Sequence, residues 1–121
     1  MSYPHISGIA ALKAAHSDWS PAAIRSATMT TANPLDNTQK PVKYMGNNYE
    51  VATPLDMGAG PVDPNRALDP GLIYDATPQD YVNFICTLNF TREQTRTITG
   101  SSYNCSKSSL DLNYPSFIAV H

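Results

Sequence analysis

Trp19-Ser20-Pro21-Ala22-Ala23-Ile24-Arg25-Ser26-Ala27 carries a complete helix-start signal. Ser20 is a residue type that caps the free N–H groups at a helix start. Pro21 then takes the first helical position, where its missing donor costs nothing. The helix is expected to continue from Ala22 to Met29, with Ile24, Ala27 and Met29 turned inward. Thr28, Thr30 and Thr31 weaken its end, and Asn33-Pro34 stops it.

Before this stretch, Ile6, Ile9, Ala10 and Leu12 recur at helical spacing. Gly8, Ala10, Ala11, Ala14 and Ala15 make that helix slim, so it is expected to approach its neighbours closely and to be buried. After it, residues 34–60 carry no long periodic segment. Gly46-Asn47-Asn48 reads as a turn or a hairpin tip, the latter with short strands on either side, and Gly58-Ala59-Gly60-Pro61 as tight backbone. Residues 61–75 are rich in Pro, Asp and Gly. Leu68, Leu72, Ile73 and Tyr74 there predict an ordered connector that packs against something.

Thr77-Pro78 repeats the cap-then-proline signal, with Asp80 in the first turn and an apolar face of Tyr81, Val82, Ile85 and Leu88. Thr91 and Gln94 form a capping box for a further short helix. Residues 99–109 are serine-rich and expected to be exposed. Leu112, Tyr114, Phe117, Ile118 and Val120 read as the lead-in to a β-rich unit, which one strand cannot complete. There are no internal repeats.

The chain has 121 residues, 41% of them hydrophobic, within the range of one domain. Its ten prolines exceed the average share of about 5% and predict short elements joined by ordered loop. The net charge is −2, and the eight Lys and Arg residues are scattered, which excludes a nucleic-acid partner. No apolar stretch approaches the roughly 18 residues of a membrane span. Met1-Ser2-Tyr3-Pro4-His5 has neither the charged nor the long apolar region of a signal peptide. Taken alone, that predicts a cytosolic chain. Asn89-Phe90-Thr91 and Asn104-Cys105-Ser106 point the other way, because glycosylation sequons matter only in the secretory pathway. Cys86 and Cys105, the two cysteines, flank the first sequon. They can be a bridge closing a loop worth about 3 kcal/mol, or two buried thiols.

Catalytic and metal patterns are otherwise missing from the sequence. His5, His16 and His121 have no ligand spacing, and the cysteines form no C-x-x-C pair, so no metal or cofactor is expected. Asp56, Asp63, Asp69 and Asp75 lie in turns, where aspartate bonds its own backbone. Gly58-Ala59-Gly60 lacks the helix start and lysine of a phosphate loop.

Met1-Ser2-Tyr3-Pro4-His5-Ile6-Ser7-Gly8 resembles the tail of the serine motif of subtilisin-like proteases, Gly-Thr-Ser-Met-Ser/Ala-x-Pro-His. In that family the nucleophilic serine immediately precedes the methionine. Trp19 to Ala27, Met29-Thr30-Thr31-Ala32, Gly58-Ala59-Gly60, Asp69-Pro70-Gly71-Leu72-Ile73-Tyr74-Asp75 and Leu112-Asn113-Tyr114-Pro115-Ser116 are similar to the plant branch, the subtilases. The blocks occur in the right order across essentially the whole chain.

The resemblance implies an α/β fragment in three parts. Residues 1–75 would end a subtilisin-like peptidase domain, 76–110 would be a helical connector, and 111–121 would begin a fibronectin type III-like β-sandwich. Intact members are secreted endopeptidases of the cell wall space. They act on polypeptide substrates with an Asp-His-Ser triad, and an asparagine helps hold the oxyanion. All four residues would lie upstream of Met1, so no catalytic residue carries over. His5 is not the triad histidine, and Ser2 lies two places past the nucleophile. The chain by itself is therefore expected to be inactive. It would be a piece of the protease, a truncated binding or regulatory piece that pairs with the missing remainder, or a pseudogene product. The resemblance also favours pairing Cys86 with Cys105.

The chain departs from the family pattern at three places. The family reads Ala-Ala-Leu-Leu-Lys where Ala10-Ala11-Leu12-Lys13 stands here. Losing one residue rotates one half of a helix against the other by about 100°, unless a bulge or loop absorbs it. Tyr3 stands where cysteine is common. Thr95 stands where an apolar residue is expected.

Overall fold

The computed structural model describes residues 2–9, 11–46, 48–100, 102–105 and 107–116. It forms two units, residues 1–74 and 75–121.

The first unit begins with α1 (Ser2–Ile9) and α2 (Leu12–Ala15). α1 ends at Ile9 and α2 begins at Leu12, next to the point where the family pattern has one residue more. The Ala11 N–H bonds Gly8 O at 3.2 Å, only three residues back, and bonds four residues back resume with Ala15 N to Ala11 O at 3.3 Å and His16 N to Leu12 O at 2.8 Å. Burial is less than the sequence predicts. Ile9 and Leu12 are buried, whereas Ile6 is 54% exposed and Pro4 to Gly8 face solvent. Slimness permits close packing but does not supply a surface to pack on.

α3 (Pro21–Thr30) starts as expected: Ser20 Oγ accepts the Ala23 N–H at 3.0 Å. Its inward face is Ala23, Ser26 and Ala27, at positions i, i+3 and i+4, while Ile24 and Met29 are only half-buried. The hairpin is present as β1 (Lys43–Tyr44) and β2 (Glu50–Val51), antiparallel, with Lys43 opposite Val51 and Tyr44 opposite Glu50. At its tip Asn48 and Tyr49 have φ of 47° and 60°. Both strands are exposed.

Two one-turn helices follow, α4 (Pro54–Met57) and α5 (Pro64–Ala67), each with proline in its first turn. Gly60 lies between them with φ 111°, and a Cβ there would stand 2.8 Å from Asn33 O. Only glycine fits both the angle and the approach. Ala67 is fully buried against Ile9 and Leu12, with Val62 beside them. Leu72 departs from expectation at 84% exposed, and Leu68 and Ile73 are exposed too. The connector is nevertheless ordered: the Tyr74 N–H donates to Ser26 Oγ at 2.8 Å.

The second unit holds α6 (Pro78–Ile85) and α7 (Arg92–Thr99). The Thr91–Gln94 box read from the sequence is present, and the Thr77 cap proves to be a second box closed by Asp80. Thr77 N donates to Asp80 Oδ2 at 2.7 Å and Asp80 N to Thr77 Oγ at 3.3 Å. Thr91 N donates to Gln94 Oε1 at 2.9 Å and Gln94 N to Thr91 Oγ at 3.2 Å. Gly100, left-handed at φ 64°, closes α7 by donating to Arg96 O at 3.0 Å. The expected apolar face of α6 is half-covered at best, with Tyr81 and Leu88 exposed. Thr95 is buried, so the polar residue does occupy an inward position. Residues 111–116 form no strand, and Phe117 to His121 lie outside the described residues.

Candidate functional site

Two regions hold the residues singled out in the sequence. The first is α1 with the turn that follows α2. Met1, together with the side chains of Ser2 and Tyr3, lies outside the described residues. His5 is exposed on α1. His16 stands at the C-terminal end of α2, its ring stacked on Trp19 with centroids 3.9 Å apart. Its Nε2 donates to Leu68 O at 2.8 Å. Lys13 Nζ donates to Ser17 O and Trp19 O, each at 2.6 Å, in the loop that follows α2. His16 and Lys13 thus hold the chain reversal after α2. Among the described residues no cluster of three His, Cys, Asp or Glu could hold a metal ion. His121 lies outside them.

Ile6, Ile9, Trp19, Pro21 and Ile24 line a groove of about 530 Å³ between α1 and α3, with Lys13, Arg25 and Thr28 at its margin. A second recess, of about 590 Å³, lies between α1 and the segment Pro61 to Pro64. Both are apolar, so they are suited to packing a further surface and not to acid–base chemistry.

The second region surrounds the cysteines. Cys86, the residue closing α6, is bonded to Cys105, with Cα atoms 5.7 Å apart. Asn89 is exposed in the turn after α6, with φ 55°. Asn104 is exposed, and its carbonyl accepts Gln79 Nε2 at 3.1 Å. Ser106 of the second sequon lies outside the described residues.

Asp56 and Asp63, two of the four turn aspartates, accept backbone N–H groups as expected. Asp56 accepts Thr53 N at 2.8 Å and Thr53 Oγ at 2.7 Å, and Asp63 accepts Arg66 N at 3.2 Å. The Thr53 hydroxyl and then its N–H hold Asp56 below the usual carboxylate range. Thr77 does the same to Asp80. Asp36 is lowered first by the Thr38 hydroxyl and next by the Lys40 N–H. None faces a second carboxylate in an acid–base pair among the interactions described.

Comparison with known proteins gives a consistent class, proteases of the subtilisin-like type. Subtilisin-like protease SBT3 of Solanum lycopersicum is 71% identical over 124 residues, covering 100% of this chain and 16% of its own length. Subtilisin-like proteases SBT1.7 and SBT1.5 of Arabidopsis thaliana are 51% and 49% identical, covering 97% and 99% of this chain and 16% of their own lengths. No family model matches the chain. The chain belongs to the plant subtilisin-like protease family, as a segment spanning about 16% of the relatives it matches. The tomato match extends over 124 positions against 121 residues here, so at least three positions of that relative have no counterpart. No helix among the described residues is long and apolar enough to cross a membrane.

Proposed function

We propose that these residues are the part of a secreted serine endopeptidase that follows immediately on the nucleophilic serine. The observation that carries this is the whole-chain match to subtilisin-like proteases, combined with Met1-Ser2-Tyr3-Pro4-His5 in register with the end of the serine motif. In the complete enzyme α1 stands behind the nucleophile. Its N-terminal N–H groups and dipole favour the negative charge that develops there during attack on a peptide carbonyl. Residues 1–75 belong to the peptidase domain, 76–110 form a helical connector, and 111–121 begin a fibronectin type III-like sandwich. Separation into units at Tyr74 and Asp75 supports the first of these boundaries. The 121 residues carry none of the triad or the oxyanion asparagine, so alone they hydrolyse no peptide bond. The parent acts outside the cell, with Asn89 and Asn104 as glycan acceptors.

A second reading, a non-catalytic piece that pairs with the remainder of the protease, draws support from the apolar groove that Ile6, Ile9, Trp19, Pro21 and Ile24 line between α1 and α3.

The coding sequence just upstream of Met1 separates the two. The first reading expects Gly-Thr-Ser in frame. An in-frame stop there, with a detectable small protein in tissue, would replace it with the second.

A further inference from the structure

Cys105 belongs to two mutually awkward features. It is the middle residue of the acceptor tripeptide Asn104-Cys105-Ser106. It is also bonded to Cys86 at the end of α6. The acceptor is thereby stitched to a helix through its central residue. Its main chain is held a second time by Gln79, whose Nε2 also donates to Asn83 Oδ1 at 2.9 Å. Residues 102–105 are neither helix nor strand, so the bridge is the strip's covalent anchor.

Asn89 sits in a different setting. Its tripeptide leads into the Thr91 cap of α7, which is held by hydrogen bonds. Such a cap opens transiently without breaking a covalent bond.

Glycan transfer demands access around the acceptor. The asparagine amide nitrogen attacks the anomeric carbon of a lipid-linked oligosaccharide diphosphate. A C–N bond forms, the C–O bond to the diphosphate breaks, the lipid diphosphate leaves, and the nitrogen gives up a proton. A strip fastened to α6 through its middle residue offers the transferase one face only. Closing the bridge takes two protons and two electrons from the thiols, passed to a disulfide-bearing oxidoreductase of the secretory compartment.

We propose that Asn104 is a conditional glycan acceptor, open until the Cys86–Cys105 bridge closes, whereas Asn89 is an unconditional one. Chains then leave the pathway in two forms, bridged and bare at Asn104, or glycosylated there before closure. The inference rests on the secretory reading of the parent. A test that attaches a signal peptide forces entry into the pathway, so it judges the competition by itself.

The full chain behind that signal peptide is expressed in plant cells, and occupancy at both asparagines is measured by mass spectrometry of peptides. In the wild type Asn89 is expected to be the more occupied. Cys86→Ser and Cys105→Ser each remove the bridge and keep both acceptor sequences. Each is expected to raise the Asn104-to-Asn89 occupancy ratio by at least about twofold, as expected for release of a locked strip. A rise in Cys105→Ser alone would trace to the middle residue's type and overturn the proposal. Near-complete occupancy of Asn104 in the wild type, an equal rise at both sites, or no glycan on Asn104 in any form would overturn it as well.

Discussion

Ser26 Oγ accepts the Tyr74 N–H at 2.8 Å across 48 residues of sequence. Ser26 is 1% exposed, so this bond ties the connector to the buried face of α3. Ser26→Ala leaves the Tyr74 N–H without that acceptor at a cost of about 1 kcal/mol. Amide exchange at Tyr74 and proteolysis between residues 68 and 74 are expected to speed up about fivefold, the same energy expressed as an opening ratio. Unchanged exchange would show that the bond does not hold the connector.

Gly60 makes a second tie in the same unit. The Asn33 N–H donates to Pro61 O at 2.9 Å, and Gly60 passes Asn33 too closely for a side chain. Gly60→Ala combines a strained φ with a clash against backbone, at about 1–3 kcal/mol. Loss of amide protection at Asn33 is the expected sign. Full protection in the variant would contradict the fit.

The second unit depends on its bridge. Ala76 and Thr95 are its buried side chains among the described residues, too few to hold two helices by packing. Reduction removes about 3 kcal/mol of constraint on the unfolded chain. Amides of α6 and α7 are expected to lose protection on adding a thiol reductant while those of α3 keep theirs. Retained protection in α6 and α7 would refute this.

Acid acts on α6 and α4 through their caps. Thr77 depresses Asp80, and Thr53 depresses Asp56, so each ionised carboxylate stabilises the folded cap. A depressed carboxylate contributes fully above its unfolded pKa of about 3.9, and the contribution is lost as pH falls through the lower folded value. Helical circular dichroism is expected to hold from pH 7 to about 4 and to decline below that. Asp80→Asn should flatten part of the decline. A decline that begins well above pH 5 would assign the acid response to other groups.

The helix break invites repair. Inserting one leucine after Leu12 restores the family's Ala-Ala-Leu-Leu-Lys spacing. It is expected to join α1 and α2 and to give Ala11 a regular bond four residues back. Nuclear Overhauser contacts of helical type across residues 9–13 would report it. A break that persists would mean its cause lies outside the spacing.

Legibility in the sequence followed the range of each interaction. Ser20, Thr77 and Thr91 were readable because a cap acts over three residues. The hairpin tip was readable from Gly46 and Asn48. Ser26 was not, because its partner is 48 residues away and a serine in a helix carries no mark of it. Ile6 and Leu72 were read as packing residues from type and spacing, which say nothing of whether a surface lies opposite; both are exposed. Cys86 and Cys105 were readable as candidates, but their pairing came from family resemblance and is seen in the bridge. Membership of the protease family could be read only from the family blocks, since no local chemistry in these residues announces it.

The proposed function puts the nucleophilic serine outside these 121 residues. Treating the chain with a fluorophosphonate and mapping any adduct by mass spectrometry decides whether it is so. The expected result is no covalent label on any serine, Ser2 and Ser7 included. Stoichiometric label on one defined residue would overturn the proposal.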